Sequence, residues 1–165
     1  MPGDCEALEI MQKLKVDANF VPCPVLGGDE FFANGIFEFN ISRILEHLES
    51  HASDADIEEI SVADFDHEFS VINESHVETV DFARPVVFAE ISPGRFNLID
   101  GHHRMEKARR HGAKTVRAYK LTASQHITFL TSKNAYLTYI EYWNDKVKQV
   151  RKREAKQKPR AITRK

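Results

Sequence analysis

Two apolar runs, Val86 to Ile91 and Phe96 to Ile99, flank the turn residues Ser92-Pro93-Gly94, with Arg95 just after them. Both runs are rich in β-formers, and Pro-Gly reverses a chain, so the segment is predicted as a β-hairpin. The second run stops at Asp100-Gly101. A helix from about His102 to His111 follows and ends at Gly112, a residue suited to the left-handed C′ position. This strand–turn–strand–turn–helix order is the strongest pattern in the chain and points to an α+β fold.

The remaining elements are read from periodicity and caps. Residues 1–19 form a short helical or loosely ordered lead-in, and Val21 to Val25 an extended strand interrupted by prolines. Gly27-Gly28-Asp29 and Asn34-Gly35 signal turns, and Ile36 to Phe39 alternates as a short strand. Asn40 is placed to cap a helix whose one face carries Ile41, Ile44, Leu45 and Leu48. Ile57 to Phe65 is a strand candidate, Asp66 to Ile72 a loop, and Asn73 to Asp81 a short helix capped by Asn73. Thr115 to Leu121 is a further strand, and Thr122 opens a helix reaching about Leu130. Asn134 is expected to cap a long helix. In it Tyr136, Ile140, Trp143, Val147 and Val150 recur at spacings of 4, 3, 4 and 3. Such a stripe packs on the domain or, as the alternative, forms a homodimer seam. Beyond Val150 the chain is nearly all Lys, Arg, Gln and Ala up to Pro159, and is expected to fray. The organisation is therefore an N-terminal extension, partly helical, over 1–55; a core over 56–132; and a C-terminal helix with a basic tail over 133–165.

A chain of 165 residues, 42% of them hydrophobic, suits one compact domain with an appendage. No stretch approaches the ~20 apolar residues of a membrane span, and Met1 to Leu14 is acidic without an apolar signal core. No membrane partner is expected. The two cysteines, Cys5 and Cys23, are too isolated for a zinc knuckle or a disulfide framework. A reducing cytoplasm is the natural compartment. The formal net charge of −2 hides an asymmetry: ten Lys or Arg and one acid lie between Lys146 and Lys165, against 13 basic and 24 acidic residues in the rest.

The junction at Asp100-Gly101-His102-His103-Arg104 carries the chemistry. Glycine permits a sharp bend and the close approach of a ligand to the backbone. The helix that starts there presents unpaired N–H groups and a partial positive charge, which suits phosphate. Arg104 adds a charge-assisted donor pair, and His102 and His103 add donors that titrate near neutrality. Asp100 beside an anion makes sense as a ligand for Mg²⁺ or as the orienting partner of a histidine. An Asp-Gly turn with surface histidines is the plainer alternative.

On these residues the chain resembles the ParB/sulfiredoxin superfamily over roughly 57–130. The matching order is a strand near Ile60-Ser61-Val62, a short helix near His76-Val77, Arg84-Pro85-Val86-Val87-Phe88, the turn, Gly112, and the strand Val116 to Leu121. The resemblance implies a small mixed sheet flanked by helices, with the turn holding nucleotide phosphates through Gly101, His102, His103 and Arg104. Sulfiredoxins carry a reactive cysteine where this chain has His102, which excludes sulfinic-acid reduction. Chromosome-partitioning ParB proteins carry Gly-Glu-Arg-Arg and a further arginine, from which His102, His103 and Glu106 depart. The Asp-Gly-His-His-Arg form is most similar to the branch with free serine kinases and ParB-like nucleases. That branch implies ATP, ADP or CTP with Mg²⁺, phosphoryl transfer or hydrolysis, and catalytic roles for Asp100, His102 and a loop glutamate matched to Glu68, with Glu74 as its runner-up.

Two other functions compete with nucleotide binding. The basic tail, with Lys148, Arg151, Lys152 and Arg153 at its start, suits non-specific, salt-sensitive nucleic-acid binding of a ParB-like DNA-binding protein or nuclease; a solvated tail is the plainer alternative. The third is a non-catalytic interaction module that uses the stripe from Tyr136 to Val150.

Overall fold

The computed structural model describes residues 12–34, 37–53, 56–64, 74–81 and 83–157. In chain order a hairpin of β1 (Phe31–Asn34) and β2 (Phe37–Asn40) precedes α1 (Ile41–His51) and β3 (Ile57–Ser61). Then come α2 (Glu74–Val77), β4 (Val86–Ser92), β5 (Arg95–Asp100), α3 (His102–Arg110), β6 (Thr115–Leu121), α4 (Ala123–His126) and α5 (Lys133–Gln157). The result is α+β: a small mixed sheet with helices and a long C-terminal helix.

The main sheet has the order β3-β6-β4-β5. β4 pairs antiparallel with β5 and parallel with β6, and β6 pairs antiparallel with β3. All seven residues of β4 are buried, as its near-continuous apolar sequence demands of a strand covered on both faces. Strand alternation sends Val87, Ala89 and Ile91 into one core with α1 and α5, and Val86 and Phe88 into a second with Met105 and Ala108 of α3. Pro93-Gly94 turns the hairpin, with Gly94 at φ +75°.

Local chemistry explains most boundaries. Asn40 caps α1 by accepting the Arg43 amide at 3.1 Å, and Ile41, Ile44 and Leu48 are the buried face. α3 ends where Gly112 takes φ +70° and the Ala113 amide reaches back to the Ala108 carbonyl at 2.9 Å. Thr122 and Gln125 close a reciprocal capping box on α4.

Several expectations are corrected. Val21 to Val25 is not a strand: Pro22 and Pro24 have no N–H to give, and Cys23 makes the segment's ladder-like bond, to the Leu130 carbonyl at 2.9 Å. β1 was not foreseen; Phe31 to Asn34 pairs with Phe37 to Asn40. The strand from Ile57 ends at Ser61 and becomes a 3₁₀ turn over Val62–Asp64. The helix opened by Thr122 passes into a 3₁₀ turn over Ile127–Phe129, and Leu130 then bridges to Phe39. Ser132, not Asn134, caps α5, its hydroxyl accepting the Ala135 amide at 3.0 Å. The short helix spans Glu74–Val77 alone, and its expected cap Asn73 lies outside the described residues, as does the loop over 66–72. α5 does not fray at Val150 but continues to Gln157.

The stripe on α5 is committed within the chain. Tyr136, Ile140, Trp143 and Val147 are buried in the core shared with β4 and α1, so these four side chains of the stripe pack on the domain. The N-terminal segment reinforces this packing. Trp143 Nε1 donates to the Gln12 carbonyl at 2.9 Å, Asn144 exchanges two hydrogen bonds with Leu14, and Phe20 stacks on Tyr136 at 3.8 Å. Among the described residues, no helix is long and apolar enough to cross a membrane.

A polar knot sits inside this core. The Glu90 carbonyl accepts from Tyr139 Oη at 2.7 Å and from His126 Nε2 at 2.6 Å. A carbonyl only accepts, so Nε2 must carry a proton. Burial pushes the His126 imidazole down to about 4, and the ring is neutral at pH 7. Because the folded pKa lies below the unfolded value of about 6.5, His126 contributes stability above that value that is lost as pH falls through about 4. Thermal unfolding followed by circular dichroism should show the midpoint falling between pH 6.5 and 4, by roughly 3 kcal/mol of stability for this one group. His126→Gln should be less stable at pH 7 and flatter across that window. An unchanged slope in the variant would refute the assignment.

Candidate phosphate-binding turn

The turn is built by the end of one strand and the start of one helix. Asp100 is the last residue of β5 and pairs with Val87 of β4. Gly101 caps α3 at φ +101° and ψ 25°, and as a glycine it has no side chain with which to cap the helix. A Cβ there would lie 2.6 Å from Val86 Cγ1 and 2.9 Å from Arg104 Nη2. Glycine is thus required twice, by its left-handed backbone and by the close packing behind it. The first intrahelical bond runs from the Met105 amide to the Gly101 carbonyl at 2.9 Å. The amides of His102, His103 and Arg104 therefore precede the helical ladder, where the dipole is positive.

Arg104 folds back over the turn. Its Nη2 donates to Asp100 Oδ2 at 2.7 Å, and the two side chains are only 12% and 20% exposed. Arg104 Nε is buried and meets no acceptor among the described residues. One of the guanidinium's five donors is therefore fixed by Asp100, while at least one other is desolvated without compensation. Such an orphan carries a penalty of about 1–3 kcal/mol unless an acceptor arrives. The pair also shows what Asp100 does: it orients the guanidinium. Among the described residues, no three His, Cys, Asp or Glu side chains gather as a metal would require. With its carboxylate engaged by Arg104, Asp100 does not fit the Mg²⁺ role expected of it.

His102 is half-buried and stacks against Phe32 of β1, centroids 5.5 Å apart. The N-terminal hairpin therefore reaches the turn, and Phe32 is a site residue that sequence reasoning missed. The available signal was Phe31-Phe32 ahead of Asn34-Gly35, a hairpin pattern that periodicity did not exploit. His103 is half-buried beside it.

The other candidates fall elsewhere. Glu68 lies outside the described residues. Glu74 is held by a bidentate pair to Arg110, at 2.7 and 2.8 Å, on the far end of α3, so the runner-up base is a structural partner. Glu106 is buried and bonded by both Arg109 and Arg110. Those donors, Arg109 foremost, pull its carboxyl down to about 2 against the effect of burial. The residue that departs from the ParB pattern thus braces α3. Lys107 ties the same helix to the Glu78 and Val80 carbonyls at 3.1 and 2.8 Å. Lys148, Arg151, Lys152 and Arg153 stand exposed on the last turns of α5. Burial pushes the Cys23 thiol up, as an unreactive cysteine requires.

Gly94 and Gly101 are both left-handed, but a Cβ at Gly94 would meet nothing within 4 Å. Gly94→Ala should cost about 1 kcal/mol in urea unfolding, from backbone strain alone. Gly101→Ala should cost about 2 kcal/mol more, because Val86 or Arg104 must move. Equal losses would show that the turn is not closely packed. Comparison with protein-family models, with curated proteins and with solved structures finds no match to this chain.

Proposed function

We propose that this chain is a ParB/sulfiredoxin-like protein that binds the phosphate groups of a nucleotide at Gly101, His102, His103 and Arg104. One observation carries the proposal: a largely buried guanidinium with an orphaned Nε sits at the start of α3, where the N-cap residue is the glycine Gly101. A phosphate oxygen supplies the acceptor that Arg104 lacks and the negative charge that the helix start favours. Asp100 keeps the guanidinium in place before the ligand arrives, so little ordering is needed on binding. His102, backed by Phe32, forms one wall of the same turn.

The donor set fits nucleotide phosphates. It does not fit a protein-held Mg²⁺ ion, and no step is assigned to one. Within this proposal phosphoryl transfer or hydrolysis takes Glu68 as the base that accepts the proton of the attacking hydroxyl or water, with Asp100 and His102 completing the catalytic set. Catalysis is the second claim and binding the first.

Differential scanning fluorimetry of the full chain with ATP, ADP, CTP and pyrophosphate tests the binding claim. A ligand at 100 times its Kd adds about 2.7 kcal/mol, so a rise of several degrees is expected with at least one of them. Arg104→Lys preserves the charge but not the planar fork. It should unfold within a few degrees of the wild type without ligand and lose most of the ligand-induced rise. The proposal fails if no nucleotide stabilises the wild type, or if Arg104→Lys is stabilised equally.

A further inference from the structure

At the opposite end of β5 from the phosphate turn, a second basic feature is assembled from parts far apart in the sequence. The β4–β5 turn and the C-terminal half of α5 enclose a groove of about 370 Å³. Three cations line it: Arg95 from the hairpin, and Lys146 and Arg153 from α5. No carboxylate is among the lining residues. Five cations elsewhere are matched. Arg43, Arg104, Arg109, Arg110 and Lys120 each pair with an acid, whereas Arg95, Lys146 and Arg153 have no such partner among the described residues. Three unmatched positive charges around one concavity raise the local potential and favour an anion there.

The helix geometry indicates what kind of anion. Tyr142, Lys146, Gln149 and Arg153 follow one another at spacings of 4, 3 and 4, and so share one face of α5. Lys156 extends that face by three residues. From Tyr142 to Lys156 the helix rises roughly 21 Å, far longer than a single phosphate group. An exposed aromatic stands at the inner end of this track: Tyr142 is 37% exposed, and Lys146 Nζ lies 5.2 Å from its ring centroid. Asn97 and Gln149 add amide donors and acceptors to the lining. A line of cations with an aromatic platform and hydrogen-bonding amides is the chemistry that holds single-stranded nucleic acid, the cations along the backbone and the ring against a base.

We propose that this groove binds single-stranded nucleic acid, with Arg95, Lys146 and Arg153 on the phosphates and Tyr142 stacked on a base. A duplex fits the feature poorly, because its bases are stacked on one another and cannot lie on Tyr142. The site is separate from the phosphate turn. Arg95 and Asp100 are the two ends of β5, roughly 17 Å apart along an extended strand. The proposal therefore does not rest on the nucleotide reading. It also adds to the basic tail a hairpin residue and an aromatic that charge counting did not single out.

Fluorescence anisotropy of the full chain with a labelled oligothymidylate of about twelve nucleotides, at about 50 and 200 mM salt, tests it. Saturable binding is expected at the lower salt, with at least a tenfold preference over a duplex of equal length. Arg95→Ala and Lys146→Ala should each weaken binding about fivefold or more and reduce the salt slope by about 0.7. Tyr142→Leu should weaken it roughly tenfold and leave the salt slope unchanged. Lys114→Ala, a cation outside the groove, should bind within about twofold of the wild type, and circular dichroism should show all four variants folded. Absence of saturable binding at low salt, equal affinity for duplex, or wild-type affinity in both Arg95→Ala and Tyr142→Leu would overturn the proposal. Loss in Lys148→Gln/Lys152→Gln with no loss in Arg95→Ala would also overturn it, since the tail alone would then be responsible.

Discussion

Everything in this fold is referred to β4, the strand with no exposed residue. Burial of its two faces fixes which elements must cover it: α3 on one side, and α1 with α5 on the other. A fully buried aliphatic side chain stabilises by about 1.5–3 kcal/mol relative to an exposed one, and β4 contributes such side chains in both directions. The two flanking strands are set by the same ladder. β5 pairs with β4 through Asp100 opposite Val87, so the point at which the chain leaves the sheet for α3 is not adjustable. Val86 then lies directly behind Gly101. The position of the candidate turn is thus a consequence of how β4 is packed, and a glycine is needed because the strand is already there.

Within that frame the turn has an unequal charge arrangement. Asp100 neutralises Arg104 in part and positions it, yet leaves Nε without an acceptor. The helix amides add a partial positive charge, and the N-cap Gly101 brings no side chain to cap them. The remainder of α3 is tightly braced by Glu106, Arg109, Arg110 and Glu74, with Lys107 holding the preceding segment. A rigid helix with an electropositive start and an orphaned Arg104 Nε beside it suits an oxyanion ligand. The same physics leaves the other end of β5 to a different chemistry, because the hairpin turn there faces the basic part of α5.

Much of this was legible in the sequence where the determinants are local. The β4–β5 hairpin, Asn40 as a cap, the apolar face of α1, Gly112 and the buried stripe of α5 all rest on patterns within a few residues. The turn at 100–104 was legible for the same reason. What was not legible depends on contacts between distant segments. Phe32 reaches His102 only because β1 and β2 fold back over the sheet edge. Arg104's pairing with Asp100 has the spacing of a helix i,i+4 contact, but sequence alone offers Asp100 as a Mg²⁺ ligand or the partner of a histidine. Glu74 reads as an acid at the start of a short helix and as the runner-up base until Arg110 is brought against it. Arg95 reads as a turn residue until α5 passes alongside. Ser132 displaced Asn134 as a cap because both are good caps and only the backbone path decides between them.

Amide and guanidinium resonances give the most direct reading of the central claim, that α3 starts at a phosphate site. Backbone ¹H–¹⁵N shifts, with the Arg Nε–H signals, should be followed while ADP or pyrophosphate is added to the full chain. The account predicts saturable shifts concentrated on Gly101, His102, His103 and Arg104, including Arg104 Nε–H as it gains its acceptor. It is contradicted if those signals stay in place at saturating ligand, or if the only shifts lie along α5.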